Sequence, residues 1–183
     1  MIKYKNVLFL YFAIILVLLF SCKNQYQERI DSAPSNNMRD FLIDFTKNMI
    51  EDEEKLIDSL LLLSEYPFSK DSTGIRINID HQLHNDKLGY PEDGDYVAVL
   101  YNCVVFDQIE TISDNTFLDT LTFKIGYSKQ MRGLNYAIKL LKVGDKAKII
   151  IPSYLGFGLS GYEESVPPYS TLLLNIKLLN IKK

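Results

Sequence analysis

Two cysteines and two histidines in 183 residues leave little material for redox or metal chemistry. Cys22 and Cys103 are far apart, and neither belongs to a metal-type or disulfide-type cysteine spacing. His81 and His84 have no cysteine nearby and read as strand or loop residues rather than ligands. Basic charge is also short: 20 Lys and Arg face 23 Asp and Glu, a formal net charge of −3 at pH 7. No basic patch is concentrated anywhere, so a nucleic-acid partner is not expected. A Ser-His-Asp set and a Gly-rich phosphate loop are both missing. No apolar run reaches the roughly 20 residues of a spanning helix. No catalytic triad, phosphate-binding loop or metal cluster therefore stands out from the residues themselves.

The longest apolar run, Val7 to Phe20, follows Lys3 and Lys5 and precedes a small residue and Cys22. A positive start, a short apolar middle and a small residue read as a secretory signal peptide over 1–21. Leu19-Phe20-Ser21-Cys22 resembles a bacterial lipobox, with a bulkier residue than usual at Phe20. That resemblance implies lipidation of Cys22 and a lipid-anchored, periplasm-facing protein of the bacterial cell envelope, the outer membrane being favoured. Removal of Lys3 and Lys5 would leave about 18 basic against 23 acidic side chains. About 160 residues would remain, enough for one compact domain with an appendage. Cys103, inside an apolar strand-like run, then reads as a small core residue.

Residues 22–37 are polar, with Pro34, and read as a flexible tether. Residues 38–66 read as a helical arm: Met38, Phe41, Leu42, Phe45, Met49, Leu56, Leu60 and Leu63 recur at helical spacing, and Pro67 bars helix beyond. The acidic cluster Glu51 to Glu54 reads as a solvated face or a break between two helices. An apolar stripe of this size must pack on something. Two readings stand level: packing against the rest of the chain, or an arm for dimerisation (through 38–64) or for holding clients.

From Gly74 the period changes to two. Ile75, Ile77 and Ile79 alternate with polar residues, Tyr96 to Phe106 is a longer interior strand, and Phe117 to Ile125 alternates again. Leu134, Ala137, Ile138 and Leu141 recur as a short helix that Gly144 ends. Ala147 to Ile151 and Thr171 to Ile181 are two further strands, the last with Leu172, Leu174, Ile176 and Leu178 on one face. Strands with one short amphipathic helix predict an α+β fold, an antiparallel sheet wrapped around that helix, over 74–183.

Between the last two strands lies a loop with three glycines, three prolines and the apolar or aromatic Tyr154, Phe157, Tyr162, Val166 and Tyr169. A connector that only turned would be polar. This one is expected to fold back over something apolar, as functional loops do. Ile151-Pro152-Ser153-Tyr154-Leu155-Gly156-Phe157-Gly158, then Gly161 and Val166-Pro167-Pro168-Tyr169, resembles the C-terminal half of FKBP-type peptidyl-prolyl isomerases. Gly94-Asp95, Tyr101, Lys124-Ile125-Gly126, Met131-Arg132-Gly133-Leu134 and Lys142-Val143-Gly144-Asp145 extend the likeness upstream, over roughly 75–183. The resemblance implies an FKBP-like fold and prolyl cis/trans isomerisation, which needs no cofactor.

It also implies a site. Tyr101 matches a wall tyrosine, Met131 the position whose backbone N–H meets the substrate carbonyl, and Phe157 a loop tyrosine whose hydroxyl is missing here. These three are the catalytic candidates. Ile112, Ser113, Leu121, Leu134, Tyr162, Val166 and Leu174 are the substrate-binding candidates. Of these, Leu134 stands at a floor position that is often tryptophan, Leu121 replaces a usual phenylalanine, and Ile112-Ser113 replaces a usual Phe-Asp pair. The layout of lipidated cysteine, helical arm and FKBP domain resembles gliding-motility-associated FKBP-type lipoproteins, implying a helper for folding exported, proline-containing polypeptides. The alternative is a catalytically weak FKBP-fold binding or scaffolding lipoprotein, which the missing tyrosine hydroxyl and aspartate motivate. A chaperone acting through the arm is compatible with either.

Overall fold

The computed structural model describes residues 36–80, 89–107, 112 and 119–183. Helix α1 (Asn36–Leu61) is followed by β1 (Ser69–Lys70), β2 (Arg76–Asp80), β3 (Tyr96–Val105) and β4 (Asp119–Lys124). Helix α2 (Arg132–Ile138), β5 (Lys146–Ile151), two 3-10 turns (Ser153–Leu155 and Gly158–Ser160) and β6 (Leu172–Lys182) complete the order. Among the described residues no helix is long and apolar enough to cross a membrane. The proposed signal segment, Cys22 and most of the tether lie outside the described residues.

The six strands form one antiparallel sheet in the order β1-β2-β5-β6-β3-β4. This is the α+β architecture that the alternation predicted. β3 is interior, between β6 and β4. The two-residue β1 is too short to leave a periodic signal, and it extends the sheet beyond β2.

The period-two rule holds along β6: Leu172, Leu174, Ile176 and Leu178 are fully buried in one core with Leu134, Ala137 and Ile138 of α2. The rule breaks between Ala98 and Val99 of β3, where the register with β6 shifts. Ala98 pairs with Asn180 and Val99 with Leu178, so Leu179 bulges out. One extra residue reverses the parity beyond it. Ile181 therefore joins the core, where strict alternation would have put Asn180. Gly133 marks the closest approach of α2 to the sheet: a Cβ there would lie 2.4 Å from Ile151 Cγ2.

The chain divides into two compact units, 1–47 and 48–183. In the first, the Phe41 and Phe45 rings of α1 stack with centroids 6.3 Å apart. In the second, the remainder of α1 packs on the sheet face opposite α2. Ile57 is buried there with Phe106, Ile112, Ile150 and Leu173. Burying such a side chain stabilises by roughly 1.5–3 kcal/mol.

The face that α1 turns to the sheet differs from the predicted stripe. Leu56 and Leu63 are exposed, and the inward side carries Glu53, Glu54 and Ile57, with Leu60 and Leu61 half-buried. The acidic cluster is accordingly neither a break nor wholly solvated, because α1 runs through it and two of its carboxylates are bonded to the sheet side. Glu54 accepts from Lys70 Nζ at 2.6 Å and from the Tyr154 hydroxyl at 2.9 Å. Arg76, 1% exposed, donates from Nε and Nη2 to Asp58 Oδ1 at 2.9 and 2.7 Å, and to the Gly74 and Glu54 carbonyls.

This ladder makes the docking acid-sensitive. Burial pushes the Glu54 carboxyl up, but hydrogen bonds from Lys70 and Tyr154 and the charges of Arg76 and Lys70 outweigh it, leaving its pKa below the ordinary 4.5. The folded chain thus binds that proton less readily than the unfolded chain. The contribution is present above the unfolded value and is lost as pH falls through the folded one. Urea midpoints measured from pH 6 to pH 3 should fall more steeply for wild type than for Glu54→Gln. Parallel profiles would refute this.

Candidate functional site

On the α2 side of the sheet a cavity of about 360 Å³ opens between β3, β4, the start of α2 and the long loop. Leu134 and Leu174, both buried, form its floor. Tyr101 from β3 and Leu121 from β4 form one wall. Phe157, Tyr162 and Val166 come from the loop on the other side, and Met131 stands at the rim. Eight of the ten positions named from the resemblance thus meet around one space.

Two do not. Ile112, expected to bind substrate, is buried on the opposite face of the sheet with Ile57, Ile150 and Leu173. It points away from the cavity, and its carbonyl accepts from Lys148 Nζ at 2.6 Å. The apolar residue chosen from a motif match was one that the second core needed. Ser113 lies outside the described residues.

The loop is built by short-range bonds. Gly161, at φ 63° and ψ −163°, turns the chain so that Tyr162 and Val166 pair, with N–H to O distances of 2.8 and 3.0 Å. Tyr169, at φ 58°, donates its N–H to the Gly158 carbonyl and closes the base. The Phe157 and Tyr162 rings stack, centroids 4.8 Å apart and planes inclined by 27°. The loop's aromatic residues divide. Phe157 and Tyr162 face the cavity, while Tyr154 sends its hydroxyl to Glu54 and the Thr73 carbonyl.

Met131 precedes α2 in an extended conformation, φ −55° and ψ 144°. Its carbonyl is taken by Asn135, and among the described residues no acceptor meets its N–H. A helix start leaves such donors open, and this one sits on the cavity rim.

The residues that motif matching missed are polar. Asp119 lines the cavity on β4, opposite Tyr101 in the register, with Lys129, Gln130 and Ser165 around the mouth. Strand alternation could have found Asp119, since it shares a face with Leu121. Burial raises the Tyr101 pKa, and the Asp119 charge adds to the rise, so the phenol stays protonated and available as a donor. Cys103 also lines the cavity, and burial pushes its thiol up to about 11, which leaves it unreactive. Among the described residues no cluster of His, Cys, Asp or Glu could hold a metal; His81 and His84 lie outside them.

Residues 89–179 match the FKBP-type peptidyl-prolyl cis-trans isomerase family. The chain belongs to that family. It is 28% identical over 105 residues to FK506-binding protein 1 of Eremothecium gossypii, covering 57% of this chain and 92% of that one. It is 29% identical over 96 residues to FK506-binding protein 1A of Emericella nidulans, covering 52% and 89%. Among solved structures it is similar in fold to FkpA from Escherichia coli, with TM-score 0.54 and 24% identity over 82% of this chain and 75% of that one. It is also similar to a peptidyl-prolyl cis-trans isomerase from Pseudomonas syringae, with TM-score 0.56 and 18% identity over 75% and 96%. The FKBP segment therefore contains every described residue of the cavity, while α1, β1 and β2 precede it.

Proposed function

We propose that this FKBP-type chain isomerises Xaa-Pro bonds of exported polypeptides at the cavity between Tyr101, Phe157 and Val166. The observation that supports this most directly is the convergence of an apolar floor, aromatic walls and the Met131 N–H. Rotation about the bond breaks only amide resonance, against a barrier of about 18–20 kcal/mol. The planar amide is the more polar form, so a water-poor, apolar pocket favours the twisted bond. In this reading the Met131 N–H donates to the carbonyl before the proline, and the ring packs on Leu134 among Tyr101, Phe157 and Val166.

The test is cis-to-trans isomerisation of short Xaa-Pro peptides by the full-length chain. Acceleration should fall about tenfold or more in Tyr101→Ala, the loss of ~1.4 kcal/mol or more of transition-state stabilisation. No acceleration from a folded sample, across several residues before proline, would reject the reading. A second reading has its own observation. Phe157 has no hydroxyl to join a polar network at the mouth, as befits a binding module with little turnover. Little turnover in wild type with normal turnover in Phe157→Tyr would favour it.

The sequence resemblances extend the proposal to a lipid anchor at Cys22 and to clients in the cell envelope, those of a gliding-motility machine included. Cys22→Ser should leave the membrane fraction. A variant still fully membrane-bound would remove the anchor from the proposal.

A further inference from the structure

The long loop has two stems, and one carboxylate holds both. β5 ends at Ile151 and β6 begins at Leu172, so Ser153 and Thr171 flank the excursion that carries Phe157, Tyr162 and Val166. Glu53 of α1 accepts from the Ser153 N–H at 2.6 Å and from the Ser153 hydroxyl at 2.7 Å. It also accepts from the Thr171 hydroxyl at 2.6 Å. Oε1 is shared between the Ser153 N–H and Thr171, so the bridge between the stems runs through a single oxygen. Charge-assisted bonds of this kind are the strong ones. The adjacent Glu54 holds the Tyr154 hydroxyl, and the Tyr154 carbonyl accepts from Arg132 Nη2 at 3.1 Å, one residue from Met131.

We infer that Glu53 is a positioning residue for the pocket: through Ser153 and Thr171 it sets the loop that forms one wall of the cavity. This rests on the isomerase reading for its kinetic consequence, though not for its structural one. Glu53 precedes the family segment at 89–179, so α1 supplies a brace that this segment does not contain. Plain anchorage of α1 would need no contact with both stems, since Ile57 and the Arg76–Asp58 pair already hold the helix to the sheet.

The experiment compares full-length wild type, Glu53→Ala and Ile57→Val, the last weakening helix docking without touching the loop. Hydrogen exchange is followed for amides of residues 156–169 and of β6, with kcat and KM on a short Xaa-Pro peptide. In Glu53→Ala, exchange across 156–169 should rise about tenfold while β6 stays protected, and KM should rise several-fold with kcat changed less. Ile57→Val should leave loop exchange and KM as in wild type. Unchanged loop exchange in Glu53→Ala, or an equal rise in Ile57→Val, would overturn the inference. Should wild type not accelerate isomerisation at all, the exchange comparison still decides the brace, so the two failures are distinguishable.

Discussion

Arg76→Ala should cost about 3 kcal/mol of folding stability. Removing one partner of a buried pair typically costs 3–5 kcal/mol, because the other is left uncompensated. The low end applies here for reasons visible around the guanidinium. Asp58 is 53% exposed and can be rehydrated. Glu54 keeps Lys70 and Tyr154 as donors. What cannot be recovered is the donor to the Gly74 carbonyl and the volume of a side chain only 2% exposed. Long cationic stems stabilise by packing as well as by charge. Arg76→Met, which fills the space without the charge, should lose less than Arg76→Ala. Equilibrium urea unfolding measures both. An alanine variant within about 0.5 kcal/mol of wild type, the scale of an ordinary surface change, would refute the assigned role.

Gly161→Ala should lower kcat/KM for peptide isomerisation by about tenfold or more while leaving global stability nearly unchanged. Gly161 occupies a backbone region, φ 63° and ψ −163°, that is essentially confined to glycine. Such a residue costs of order 1–3 kcal/mol when it carries a side chain. A Cβ there would also lie 2.3 Å from the Val166 carbonyl oxygen and 3.0 Å from backbone atoms of Pro167 and Pro168. Backbone cannot rotate aside as a side chain can, so the Tyr162–Val166 pairing must open. Opening this loop, where Tyr162 and Tyr169 are about half exposed, releases the strain without disturbing the core. The two readouts should therefore separate, with activity lost and the urea midpoint kept. Unchanged activity, or loss of fold together with activity, would count against a loop that shapes the pocket.

Much of the cavity was legible in order along the chain. Tyr101, Leu121, Met131, Leu134, Phe157, Tyr162, Val166 and Leu174 could be named because the family resemblance carries a pocket position onto each of them, and they do surround one space. Ile112 was misjudged because an apolar residue next to a serine looks the same whether it serves a pocket or a second core. The sheet's other face decided that, through Ile57, Ile150 and Leu173. Asp119 was overlooked because motif matching sought its carboxylate elsewhere, though alternation with Leu121 already put it on the right side of β4.

By itself the sequence determined the α+β class, the places of the helices and of every strand but β1, and the inner face of β6 as far as Leu178, because period-two and period-3.6 patterns are local properties of a chain that must bury one face. Only the tertiary structure decided where α1 goes and what it does. Its docking face mixes acids with Ile57, and a carboxylate in a sequence reads as solvated until its donors are known. Besides Lys70, 16 residues from Glu54, the donors of Glu53 and Glu54 are Ser153, Tyr154 and Thr171, at separations of 100 to 118 residues. Desolvation of those carboxylates costs free energy that these distant hydrogen bonds help to offset, and no local pattern encodes partners at that separation.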